Sequence, residues 1–312
     1  EQATGEPLNM PRITRALTIL NELPGVQLNA GLAPSATEGS SDLVVSATPR
    51  ALGSGSVSAD NGGARSTGRY RVTVRAGLDN PLKVGDRLGL NLMASDGVRF
   101  ANLDYTRPVG FAGLRLGVNG GYLRYKLQDE FSASGGKGGS YNYGLTARYP
   151  LHRGNALNGN LGLSVDYRNL SNEANGVSTS EKALLSGTAS YDGDYSDGLG
   201  GGGISLWRAA LTYGDVDLSG NALNEASDRS TINSQGEYGK LALSLSRLQR
   251  VTERTSLWLS VNGQVSNKNL DSAEKFLLGG AQGVRAYPAL EASGDYGYLA
   301  TLETRYRIND RW

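Results

Sequence analysis

From about residue 52 onward, apolar and polar side chains alternate with a period of two. Tyr70, Val72, Val74, Ala76 and Leu78 are interleaved with Arg71, Thr73, Arg75 and Gly77. Leu161, Leu163, Val165 and Tyr167 alternate with Gly162, Ser164, Asp166 and Arg168, and Leu257, Leu259, Val261 and Val265 with Trp258, Ser260, Asn262 and Gln264. An extended chain points successive side chains to opposite sides, so each run predicts a strand with one apolar and one polar face. About twelve such strands are predicted, over 52–61, 68–78, 86–95, 98–107, 113–127, 138–149, 157–169, 181–191, 202–214, 236–249, 256–267 and 297–307.

Two environments produce this pattern. A soluble sandwich or barrel, such as a lectin, buries the apolar face, whereas a membrane barrel turns it to lipid and encloses a wet interior. The strands are long, their polar faces carry Arg, Asn, Asp and Gln, and tyrosines gather at their ends (Tyr70, Tyr105, Tyr122, Tyr149, Tyr167, Tyr191, Tyr213, Tyr306). The prediction is a transmembrane antiparallel β-barrel over 51–312. Short connections at 79–85, 108–112, 150–156 and 250–255 alternate with longer ones at 128–137, 170–180, 215–235 and 268–296. In such barrels the short turns are periplasmic and the long loops external.

Residues 1–50 follow another period. Ile13, Ala16, Leu17 and Leu20 are spaced for a helix over 10–22 that starts near Pro11 and ends at Leu23-Pro24-Gly25. Strands at 26–33 and 42–48 follow, joined by Pro34–Ser40. A helix and a hairpin are half of a small α+β unit and can hardly bury a core alone.

Composition removes most other chemistry. Cysteine is absent and histidine occurs once, as His152, so neither a disulfide framework nor a multi-histidine metal centre can form. His152 has no partners in a catalytic pattern, reads as a surface residue at a turn, and leaves no basis for an enzyme. Thirty-one basic against 30 acidic residues give a net charge of +1, without the basic footprint of a nucleic-acid binder. No apolar run is long enough for a transmembrane helix. Glycine, 44 residues in all, is abundant within the strands themselves. Asp192–Gly198 distantly resembles a calcium loop but lacks its bidentate Glu, so it reads as a turn. Gly198–Gly203 lacks the lysine and βαβ setting of a phosphate loop and reads as a turn into a strand. No cofactor, metal or nucleotide is expected. Arg69, Arg71 and Arg75 lie near one strand face, as lumen lining or as contacts for a passing chain.

Three groups of residues carry a resemblance. Pro7-Leu8-Asn9, Arg15–Val26 and Ser41–Val45 resemble the second polypeptide-transport-associated (POTRA) domain of two-partner secretion transporters. Tyr105-Thr106-Arg107-Pro108-Val109-Gly110 resembles a turn motif of the same family. Leu277–Gly280, Gly283-Val284-Arg285-Ala286-Tyr287-Pro288 and Gly294–Gly297 resemble the signature external loop of the wider transporter and insertase superfamily, with Ala286 where glycine is usual.

The resemblance implies about twelve strands of a sixteen-stranded barrel, preceded by a partial periplasmic POTRA domain over 1–50. The chain then reads as a piece of a longer protein, and its start at Glu1-Gln2-Ala3 as a cut. The implied function is export of a secreted partner protein, of adhesin or cytolysin type, through the outer membrane of a Gram-negative bacterium, in contact with its lipid. The alternatives are a barrel-assembly insertase and, less favoured, a passive porin. Within the loop, Gly283, Val284, Arg285, Ala286 and Tyr287 are the implied site, with Arg285 folded inward as an anchor on a carboxylate. That carboxylate would lie on a thirteenth strand, and Glu303 is the nearest candidate within this chain. In the POTRA-like segment, Leu17 and Leu20 are expected to pack on the hairpin around Leu28 and Val44 and to support partner binding.

Overall fold

The computed structural model describes residues 5–37, 39–280, 283–287 and 292–309. Pro288, which ends the quoted loop motif, lies outside them, as do Glu38 and Glu1-Gln2-Ala3. Twelve strands form one antiparallel sheet in which nearly every neighbour in space is a neighbour in sequence. They are β3 (Gly53–Asp60), β4 (Arg71–Asp79), β5 (Arg87–Ala94), β6 (Val98–Val109), β7 (Leu114–Lys126), β8 (Lys137–Arg153), β9 (Leu157–Ala174), β10 (Val177–Asp197), β11 (Gly203–Asp217), β12 (Gly236–Arg250), β13 (Thr255–Ser266) and β16 (Gly297–Tyr306). Among the described residues β3 and β16 are the two edges. Two small strands in the last loop, β14 (Phe276–Leu277) and β15 (Ser293–Gly294), pair with each other.

The two faces of the sheet differ as the period of two demands. One face is apolar and open: Leu163 is 62% exposed, Leu211 59% and Leu302 69%. An uncovered apolar surface of this extent needs a lipid or protein partner. Aromatic pairs bracket it, Tyr122 with Tyr141 at 5.1 Å and Tyr191 with Trp207 at 6.1 Å. Residues 141 and 149 lie on this face of β8, and at about 3.4 Å per residue they are about 27 Å apart, close to the height of a lipid-facing band. The other face carries hydrogen bonds between side chains of neighbouring strands. Asn142 donates to Asn119, Ser244 to Asn262, and Thr188 bonds Thr212.

All twelve predicted strands are present, but the connections differ in three places. The loop expected at 170–180 is a hairpin: β9 runs to Ala174 and β10 starts at Val177. Its turn is Asn175 (φ 51°) and Gly176 (φ 83°), two left-handed residues whose twist suits adjoining strands. The acidic run expected as a turn, Asp192–Asp197, is strand instead, the last part of β10. Its carboxylates face cations and amides across the sheet: Arg148 reaches Asp192 at 2.5 Å, Asn158 reaches Asp194 at 3.0 Å, and Arg247 reaches Asp197 at 2.9 Å. His152 likewise lies in the last residues of β8, beside a bulge, rather than in a turn.

The N-terminal segment forms α1 (Met10–Asn21), β1 (Val26–Pro34) and β2 (Ser41–Pro49). Asn9 caps α1 by accepting from the Arg12 amide, and Asn21 clamps its far end to β1 through both backbone groups of Leu28. The packing differs from that expected. Leu17 and Leu28 are half-buried, but Leu20 is 40% and Val44 54% exposed, and β2 is exposed along its length. The apolar side of α1 faces the short-turn end of the large sheet. Ile19 lies beside Gly113 and Leu23 beside Gly85, and Ile13 is buried.

Candidate functional site: the loop after β13

The connection from Ser266 to Gly297 folds back onto the polar face of the sheet in two parts. The root, 268–275, is packed down. Leu270 joins Leu184, Val216, Leu218 and Tyr238 in a cluster whose members are each 2% exposed or less. Leu184, Val216 and Tyr238 occupy polar-face strand positions near the long-loop end, where only a covering loop justifies an apolar side chain. Lys182 donates to both carboxylate oxygens of Asp271, at 2.8 and 2.7 Å, and to the Ser272 hydroxyl at 3.1 Å. Glu274 is paired with Arg168 and with Lys240, the latter at 2.8 Å. Gln264 donates to the carbonyl oxygens of Glu274 and Asp295, tying the root to the end of the loop.

The tip is the sequence-predicted motif. Val284 donates to the Leu278 carbonyl at 2.7 Å, Tyr287 to that of Val284 at 3.0 Å, and Gly280 to that of Tyr287 at 3.1 Å. This small knot presents Arg285, which pairs with Glu303 of β16. Glu303 also receives Arg305 at 3.2 Å, and the Arg305 guanidinium lies 5.2 Å from the centre of the Trp258 ring. The pair is open to solvent on one side, with the Arg285 side chain 70% exposed and Glu303 23%. Val284, Ala286 and Tyr287 are exposed and Gly283 half-buried.

Next to this loop, α2 (Ala222–Ser230) rises in the β11–β12 connection. Asp228 closes it by accepting from the Ser234 amide and hydroxyl and the Gln235 amide. Burial alone would raise its pKa, but these donors and the Lys268 charge hold it below the ordinary aspartate value. Elsewhere, Arg71 is engaged by Asp60 at 2.8 Å, while Arg69 and Arg75 are exposed. Among the described residues no cluster of three or more carboxylates and histidines is placed to hold a metal.

Sequence reasoning points to the tip and misses the root. Lys182 and Asp271 are 89 residues apart, and nothing local marks either as a partner. The one available signal is parity: Lys182 and Leu184 share a strand face otherwise lined by Ser186, Thr188 and Ser190.

The heme/hemopexin transporter protein HuxB of Haemophilus influenzae (strain 86-028NP) is 31% identical over 304 residues, spanning 94% of this chain and 52% of that protein. The outer membrane transporter CdiB of Dickeya dadantii (strain 3937) is 26% identical over 321 residues, spanning 94% and 53%. The structure of CdiB from Escherichia coli superposes with a TM-score of 0.80 at 22% identity, over 98% of this chain and 57% of that one. This likeness gives the sheet its fold class, an antiparallel β-barrel. The chain spans about half the length of the relatives it matches. The family model for the haemolysin secretion/activation protein ShlB/FhaC/HecB matches residues 39–309, and the chain belongs to that family.

Proposed function

We infer that the protein containing this chain exports a secreted partner protein, of adhesin or cytolysin type, across the outer membrane. Membership of the haemolysin secretion/activation family favours export over barrel assembly or passive diffusion. One observation carries the mechanism: Arg285, though largely exposed, pairs with Glu303 on the polar face of the sheet. In a closed barrel that face is the lumen, so the loop tip lies in the path of a translocating chain. No step in this reading calls for a cofactor or a nucleotide.

In this reading the short turns are periplasmic, as is the segment over 1–50, a partial POTRA domain. The exposed strand β2 offers unpaired backbone groups to which an extended segment of the partner can add. Leu17, Leu20, Leu28 and Val44 supply an apolar surface beside it. The seat of α1 on the short turns agrees with this orientation. The test is a secretion assay with the full-length protein and its partner, run beside an assay of other outer-membrane barrels. Loss of partner export on deletion, with the other barrels assembled normally, supports the reading. Failure of those barrels to assemble would replace it with an insertase.

A further inference from the structure

The loop is fastened very differently at its two ends. The root is held by two buried carboxylates: Asp271 and Lys182 are 9% and 7% exposed at their side chains, and Glu274 is 4%. The three cations come from three strands, Arg168 on β9, Lys182 on β10 and Lys240 on β12. Removing one partner of such a pair strands the other charge away from water, which makes undocking of the root costly. Among the described residues the tip is held to the sheet by the Arg285–Glu303 pair, whose arginine is 70% exposed, a contact of the kind that contributes little and yields to salt.

We propose that Asp271 and Glu274, with Lys182, Arg168 and Lys240, are positioning residues that pin the loop root to the barrel wall, so that only the tip around Arg285 releases when a partner chain passes. The loop is then a short arm on a fixed base. The two root carboxylates also offset most of the charge of three cations that would otherwise line the passage and catch acidic segments of the partner. This proposal rests on the export reading for its consequence but not for its geometry.

Hydrogen exchange on the full-length protein in lipid vesicles tests it. The root amides of Leu270, Ala273 and Glu274 are bonded to Asp295 and Asp271. In the wild type they should exchange orders of magnitude more slowly than those of residues 283–287. Asp271→Asn with Glu274→Gln should bring root exchange to the rate of the tip while β9–β13 stay protected, and Lys182→Glu with Asp271→Lys should restore slow exchange relative to either single change. Root and tip exchanging at the same rate in the wild type would overturn the proposal without any variant having to fold. Unchanged root protection in the Asn/Gln variant would overturn it too. Secretion by that variant separates the two readings: lost protection with normal export leaves the fixed root standing and removes the loop from the export path.

Discussion

The guanidinium of Arg15 donates to the carbonyl oxygen of Pro150 at 2.7 Å and to that of Leu151 at 3.0 Å, joining α1 to the last residues of β8. Glu22, just under two helical turns on, pairs with Arg153 of the same strand end. Between them Ile19 lies against Gly113, where an added Cβ would stand 2.6 Å from the Pro150 ring and 3.1 Å from the Ile19 side chain. Gly113 has φ 86°, so its lack of a side chain serves both backbone and contact. The helix is therefore seated on the barrel, not tethered by a free linker.

Arg15→Ala should loosen that seat by about 1–2 kcal/mol, the worth of partly exposed bonds from a charged donor. Gly113→Val should do so more strongly, adding backbone strain to the clash. Cleavage of the full-length protein between α1 and β1 should accelerate in both variants while the sheet keeps its heat-modifiable migration on gels. Unchanged cleavage in Gly113→Val would mean that α1 is not held at this place.

The strands that cross the apolar band were readable because lipid on one side and polar groups on the other enforce the period of two. Leu161, Leu163 and Val165 announce β9 without ambiguity. Beyond the band that contrast vanishes: Asn169, Ser171, Asn172 and Glu173 continue β9 with polar groups on both faces, so the reading stops the strand too soon. The same holds for Asp192–Asp197 in β10. For the site, a local motif points to Arg285 and parity to Glu303, whereas the pairs of Lys182, Arg168 and Lys240 with Asp271 and Glu274 depend on how a loop folds across five strands.

The β9–β10 turn makes a prediction from the same missed hairpin. Asn175 and Gly176 both have positive φ, which the Asn-Gly pair tolerates and other residues do not. Gly176→Val should cost about 1–2 kcal/mol, seen as a lower urea midpoint for barrel unfolding in detergent. Lengthening the turn by three Gly/Ser residues should cost less than this substitution, because loop closure depends only weakly on length. Equal stability of Gly176→Val and wild type would refute the left-handed turn.

Asp228 predicts a pH dependence confined to the β11–β12 connection. Its folded pKa lies below the ordinary aspartate value because the Ser234 and Gln235 donors, with Lys268, outweigh burial. A depressed carboxylate stabilises the fold above its unfolded pKa of about 3.9, and that contribution is lost as pH falls through the folded value. Protease resistance of the loop should therefore hold from neutral pH to about 4 and fall below it. Asp228→Asn should be cut readily already at pH 7 and show no further loss in acid. A loop equally resistant at pH 7 and in strong acid would show that the carboxylate does not hold it.

Arg285 carries the last prediction. Were its carboxylate buried and singly paired, Arg285→Ala would cost several kcal/mol. The structure gives a smaller figure. Arg285 is largely exposed, and Glu303 keeps Arg305 at 3.2 Å when Arg285 is gone. An exposed pair contributes at most about 1 kcal/mol, so thermal unfolding of the barrel should be nearly unchanged in Arg285→Ala. The loop tip would lose its fixed place on the polar face, and export should fall sharply at normal barrel levels. Arg285→Lys should recover part of the export, since an ammonium keeps the charge but not the planar fork. Glu303→Gln should be no milder than Arg285→Ala, because it weakens two contacts at once and leaves Arg305 with only the Trp258 ring. The measurement is secreted partner per unit of heat-modifiable barrel for the three variants in the full-length protein. Wild-type export from Arg285→Ala would show that the pair decorates the lumen without acting in transport, and a barrel that fails to assemble would show that the pair is worth far more than its exposure allows.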